Sequence, residues 1–165
     1  MVADKIAYWQ NQIPNAYIIP ASATERFNVD AIFEKILELL PDNPPYFPKD
    51  ELTDKSMRFF VSEILREKIL LYYQKEIPYS TEVVVESYQE CEYIDKISVI
   101  IYVERESQKG IIIGHQGKSL KKIGIEARKD IEEFTGRKCF LNMQVKVLKD
   151  WRNSDKALKH FGYEL

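Results

Sequence analysis

No stretch of this 165-residue chain is apolar for long enough to cross a bilayer, and its first residues do not form a signal peptide. Cysteine is scarce. Cys91 and Cys139 stand apart with no Cys-x-x-Cys spacing, which argues for buried thiols of a reducing cytoplasm over a disulfide or a metal site. The two histidines, His115 and His160, have no partners at ligand spacing, so no metal is expected. Paired carboxylates, a Ser-His-Asp set and internal repeats are also missing, which leaves little for an enzyme to work with. Glycine is the most telling shortage. The chain has six, and four of them fall in one stretch, Lys109–Gly124, KGIIIGHQGKSLKKIG.

What is present is a globular composition, 45% hydrophobic and 30% charged. It has room for one ordinary domain or two small ones. The net charge of −2 hides a split. Up to Glu104 there are 10 Lys and Arg against 18 Asp and Glu, or −8; from Arg105 onward there are 14 against 8, or +6. A localised positive field favours an electrostatic partner for the second half.

Taken in order, Val2–Gln12 reads as a helix and Pro14-Asn15 as a turn. Ala16–Pro20 is a short apolar run of buried-strand type. Asn28 is expected to cap a helix carrying Val29, Ile32, Phe33, Ile36, Leu37 and Leu40, which Pro41 stops. A lone buried-type strand needs neighbours for its backbone, so residues 1–40 read as the end of a larger α/β domain. The alternative is a strand that joins the sheet of the following domain. Residues 41–52 hold four of the seven prolines and read as a stiff linker. Residues 53–165 then form the second domain. Thr53 is expected to cap a long helix, with Asp54 near its N-terminus and Met57, Phe60, Val61, Ile64, Leu65, Lys68 and Tyr72 on one face. Thr81–Glu86 and Lys96–Glu104 read as an antiparallel hairpin joined by the acidic turn Glu90–Asp95. After it come a short helix, the glycine turn and a second helix that turns Leu120, Ile123, Ala127, Ile131 and Phe134 inward and ends at Gly136. Lys138–Leu148 is a third strand, and Asn153 or Ser154 caps a last short helix.

The order α-β-β-α-α-β, with Gly114-His115-Gln116-Gly117 between the middle helices, is the arrangement of a KH domain of the second topological type, with a three-stranded sheet and helices on one face. The fold class is α+β. In such domains the Gly-x-x-Gly turn clamps the backbone of about four nucleotides of single-stranded RNA. The glycines leave room for a sugar–phosphate chain, and the first-turn amides of the second helix face its phosphates. Lys118, Lys121, Lys122 and Lys109 add charge, with turn geometry deciding which of them reach. Bases would lie in an apolar groove lined by Ile112, Ile113 and Ile123, for each of which ordinary core is the alternative. Gly117-Lys118-Ser119 also hints at a P-loop, but that motif needs a glycine where Ile112 stands and must follow a strand directly. A helix-turn-helix has two helices about a turn, and the flanking strands argue against it but leave a winged variant open.

Four segments together resemble the C-terminal part of the Era family, bacterial GTPases that assist small-ribosomal-subunit assembly: Tyr46–Leu70, Lys75–Glu86, Val103–Glu132 and Val145–Tyr163. The resemblance covers nearly the whole chain. It makes Ala21-Ser22-Ala23 the last guanine-contacting motif, with Ser22 and Ala23 as a nucleotide-binding remnant of the GTPase domain. It implies GTP and Mg²⁺ in the intact protein. This chain shows no Walker A run, switch motif or Asn-Lys-x-Asp, so no cofactor and no GTP hydrolysis are expected of it. The resemblance also implies that Gly114, His115, Gln116 and Gly117, with Lys118 and Lys121 beside them, clamp the 3′ end of small-subunit rRNA. The strand residues Gln144–Leu148 and Trp151 would lie near further bases. The implied partners are single-stranded rRNA and the small ribosomal subunit, in the cytoplasm, with some peripheral association with the inner membrane. The reading from another class is a protein- or membrane-interaction domain that uses the basic half.

Overall fold

The structure, a computed structural model, describes residues 2–48 and 53–163. The chain divides into two units, Met1–Leu52 and Thr53–Leu165.

In the first unit, α1 (Val2–Gln12) and α2 (Val29–Leu39) flank an irregular segment. The expected strand at Ala16–Pro20 does not form; the one bridge nearby joins Ser22 to Phe27. The physical reason is that, among the described residues of this unit, no second strand takes its amides and carbonyls. Asn28 is not a side-chain cap. It sits at φ 54°, and its amide donates 2.9 Å to the Pro20 carbonyl, pinning the run against the start of α2. The apolar stripe of α2 has the expected spacing but lies open, with Phe33 61%, Ile36 50% and Leu37 54% exposed. None of residues 2–48 is buried. Residues 41–48 carry no helix or strand, and the linker's remaining positions, 49–52, lie outside the described residues.

The second unit has a core. Its first helix, α3, spans Met57–Tyr72. It starts later than expected, because the Thr53 hydroxyl accepts from the Lys55 amide in a local turn instead of capping a helix. Asp54 is therefore outside the first helical turn. Val61, Leu65 and Ile69 of α3 are fully buried, each contributing roughly 1.5–3 kcal/mol of burial. The charged break at Lys68 has a use. Its ammonium pairs with Asp130 of the helix packed against α3, and that hydrogen bond raises the lysine's pKa.

Strands β1 (Thr81–Gln89) and β2 (Asp95–Val103) form the antiparallel hairpin, and β3 (Cys139–Val147) lies parallel to β2, giving the order β1-β2-β3. Parallel pairing of β2 and β3 requires a crossover. It consists of α4 (Glu106–Ile113), the glycine turn and α5 (Lys118–Thr135). Helices α3, α4 and α5 cover one face of the sheet, over a core that includes Val83, Val99, Ile101, Val103, Ile123 and Ile131. Phe134, expected inside, is 53% exposed and packs its ring 4.9 Å from that of Phe60. The last helix, α6 (Asp155–His160), is capped by Ser154, whose hydroxyl accepts from the Ala157 amide. Helices are not confined to one face at this end. The ring of Phe161, just past α6, packs 5.2 Å from Tyr102, which strand alternation places on the opposite face from Ile101 and Val103.

Asp95, read as part of the acidic turn, belongs to β2 and is 1% exposed. Its carboxylate accepts from Arg137 Nε and Nη2, from the Tyr88 hydroxyl and from the Cys91 amide. Arg137 Nη2 also donates to the Cys91 carbonyl. The Arg137 hydrogen bonds hold the Asp95 carboxyl below its ordinary pKa. This cluster ties the hairpin turn to the connection between α5 and β3.

Candidate nucleic-acid interface

The turn between α4 and α5 carries three positive-φ residues within four positions: Gly114 at φ 69°, Gln116 at φ 53° and Gly117 at φ 74°. The two glycines do different jobs. At Gly114 an added Cβ would lie 2.1 Å from Ser119 Oγ and 2.7 Å from Ser119 Cβ, so this glycine lets the first turn of α5 close against the end of α4. At Gly117 nothing lies within 4 Å of an added Cβ. That position faces open space, where another backbone can approach. His115 and Gln116 are exposed at the tip.

The turn is held from behind by residues that sequence reading did not single out. The Tyr73 hydroxyl, at the C-terminal end of α3, donates 2.7 Å to the Ile112 carbonyl in the last turn of α4. Burial pushes the Tyr73 phenol up to about 12. At the other end of α4, buried Gln108 accepts from the amides of Glu104 and Arg105 and donates to the Ser80 hydroxyl. Ser80 Oγ in turn donates to the Ile77 carbonyl. Both α4 termini are thus fastened to the helix and hairpin beneath. The only sequence signal for Tyr73 is its place beyond the buried face of α3, and Gln108 gives none beyond its position three residues after Arg105.

The expected site residues separate into groups. Lys118 and Lys121 are exposed at the start of α5 and, with half-exposed Lys109 on α4, form no ion pair among the described residues. Lys122 is turned toward α3, its ammonium 4.5 Å from the centre of the Tyr72 ring. Ile112 and Ile123 are 0% and 1% exposed and belong to the core, which corrects the expectation that they line a groove. Helical spacing could not separate lining from core, because both positions sit on the inward side of their helices. Ile113 alone of the three keeps part of its surface. Trp151 is likewise buried, 4% exposed, with its indole N–H directed at the Ser80 carbonyl, so its ring offers no face to a base. Ser22 and Ala23 lie in the other unit. The Ser22 amide is donated to Phe27 O and its hydroxyl meets Thr24 and the Glu25 amide, so the turn's polar groups are largely spent on itself. Among the described residues, no three or more His, Cys, Asp and Glu come together to hold a metal ion, and no helix is long and apolar enough to cross a membrane.

This geometry is a helix start behind an open glycine turn, flanked by exposed lysines, an arrangement whose first-turn amides suit an anion. Residues 76–152 match the KH domain family. The chain is 46% identical over 162 residues to the GTPase Era of Geotalea daltonii, covering 98% of this chain and 54% of that protein. It is 47% identical over 150 residues to the GTPase Era of Syntrophus aciditrophicus, covering 90% and 49%. Among solved structures, a variant of Aquifex aeolicus Era bound to GDP and aluminium fluoride matches with a TM-score of 0.90 and 36% identity over 99% of this chain and 56% of that one. Era in complex with MgGDPNP and nucleotides 1506–1542 of 16S ribosomal RNA matches with the same score, identity and coverage. The chain spans about half the length of the curated relatives it matches. It belongs to the Era family, and corresponds to the C-terminal part that carries the KH domain.

Proposed function

We propose that this chain binds the 3′ end of small-subunit rRNA as a single strand, as the RNA-holding part of an Era-type GTPase acting in small ribosomal subunit assembly. The observation that carries this reading is the turn at Gly114–Gly117, open at Gly117 and backed by the first-turn amides of an 18-residue helix. Phosphates of a few consecutive nucleotides lie against those amides, with Lys118 and Lys121 adding charge. Bases lie beside the turn, where Ile113 keeps surface above the buried Ile112 and Ile123. The solved relative with 16S ribosomal RNA supports the choice of target.

The chain acts by binding alone, and its GTP- and Mg²⁺-dependent chemistry belongs to the intact parent. Ser22 and Ala23 by themselves cannot hold a nucleotide's phosphates. Measurable GTP turnover by the chain would contradict this. Association with the small ribosomal subunit follows from the RNA target. Peripheral contact with the inner membrane would draw on the same basic half, and flotation with anionic vesicles tests it.

The experiment for the RNA reading is binding of the chain to short RNAs ending in the rRNA 3′ sequence, against scrambled controls, over a salt series. Preference for the native end is expected, with affinity falling at a log–log slope of roughly −0.7 per phosphate contacted. Equal binding of scrambled RNA would refute the target, and salt-independent binding would refute the clamp.

A further inference from the structure

We propose that the face of the sheet turned away from α3, α4 and α5 is a second surface for single-stranded RNA, with Phe140 as its stacking platform. The proposal rests on the clamp reading above and extends the strand's path beyond it.

Strand alternation fixes which side chains share this face. Cys139 and Val145 of β3 lie in the core, so Phe140, Asn142, Gln144 and Lys146 project from the other side. All four are exposed, and Phe140 is 61% so. The parallel register places Lys96 of β2 beside Phe140 and Ser98 beside Asn142. Phe161 packs over Tyr102, so the tail closes one corner of the face and leaves the β3 row open.

The chemistry of that row fits one ligand class. An exposed ring on a pleated surface offers a face to any base, which stacks without needing a particular sequence. The amides of Asn142 and Gln144 carry both donors and acceptors for base edges. Lys96 and Lys146 stand at the two ends for phosphates. A duplex keeps its base faces stacked inside and would have nothing to lay on Phe140. The acidic side chains of Glu90 and Glu92 lie in the turn beyond Lys96 and mark where the surface ends.

The row is also within reach of the clamp. Gly124 of α5 rests on β3, where an added Cβ would lie 2.5 Å from Met143 Cε. Helix α5 runs back over β3 after a short connection, so its N-terminus and the glycine turn lie toward the Val147 end of the strand. At a rise of 1.5 Å per residue, Gly117 is about 10 Å along α5 from Gly124. A strand leaving the clamp around the β3 edge meets Lys146 first and Phe140 last, a path of roughly 20 Å.

The test uses the whole chain and two lengths of single-stranded RNA by fluorescence anisotropy: about four nucleotides, enough for the clamp alone, and about ten. Phe140→Ala and Phe140→Leu should weaken the longer RNA about tenfold and leave the shorter one unchanged. Phe140→Trp should keep the longer RNA bound as tightly as the parent. Leu retains apolar area without an aromatic face, so its loss of affinity with an unchanged melting temperature supports stacking. Equal affinity of parent, Phe140→Ala and Phe140→Leu chains for the longer RNA would overturn the proposal. Failure of the parent to bind the shorter RNA would instead overturn the clamp reading, with the longer RNA still deciding on Phe140.

Discussion

The Tyr73 hydroxyl donates a 2.7 Å hydrogen bond to the main-chain oxygen of Ile112, directly before the glycine turn. A half-buried phenol at the end of α3 thereby fixes the angle at which α4 delivers Gly114. Tyr73→Phe should keep the fold and cost about 1 kcal/mol, the ordinary net worth of such a bond. Amide exchange at residues 114–117 should speed up, and RNA affinity should fall with it. Unchanged exchange at these amides would remove Tyr73 from the positioning of the turn.

The same phenol makes a pH prediction. Its pKa rises from 10.0 to about 12 on burial, so the folded state favours the neutral form. That contribution to stability is fully present below pH 10 and is lost as pH rises toward 12. Tyr88, also raised to about 12, adds a second such step. Chemical denaturation between pH 9 and 12 should show a shallower alkaline loss in Tyr73→Phe than in the parent.

The two glycines of the turn should separate on substitution. Gly114→Ala puts a Cβ against Ser119 at a positive φ, and should cost about 1–3 kcal/mol of stability. Gly117→Ala also pays for a positive φ but meets no neighbour, so about 1 kcal/mol is expected. Its main effect should be on RNA, because the methyl group stands where the ligand backbone approaches. Thermal melts and RNA titrations on both variants check this. Equal RNA affinity of Gly117→Ala and the parent would place the backbone contact elsewhere.

Much of this was legible beforehand, and the misses have definite causes. The periodicities of α1, α3, α5 and the three strands were clear because each buries, or spaces, its apolar side chains at one repeat. The Ala16–Pro20 run has buried-strand composition but no strand geometry, because such composition specifies a strand only where a partner strand exists. Ile112 and Ile123 read either as groove floor or as ordinary core, because both present the same residues at the same spacing, and burial places them in the core. Tyr73, Gln108 and Arg137 act across 39, 28 and 42 positions of chain, a range at which local pattern is silent.

Arg137 illustrates how asymmetric such long-range pairs are. Its side chain is 46% exposed, whereas Asp95 is 1% exposed. Removing the arginine leaves the buried carboxylate with only the Tyr88 hydroxyl and the Cys91 amide as donors, so Arg137→Met should lower stability near neutral pH. Because Asp95 is held below its ordinary value of 3.8, its contribution is present above that pH and is lost as pH falls through the depressed folded-state value. Acid denaturation should therefore lose steepness in Arg137→Met. An unchanged acid limb would mean that the pair is not what titrates there.

The central claim is that Gly114–Gly117 grips an RNA backbone, and replacing its two exposed tip residues tests that claim directly. His115→Asp with Gln116→Asp sets two carboxylates where the phosphates should lie, at two exposed positions. Binding of this double variant to an RNA ending in the small-subunit rRNA 3′ sequence should be measured beside the parent chain, with melting temperatures for both. Loss of RNA affinity at an unchanged melting temperature is the predicted result; parent-like affinity in a folded double variant would contradict the clamp.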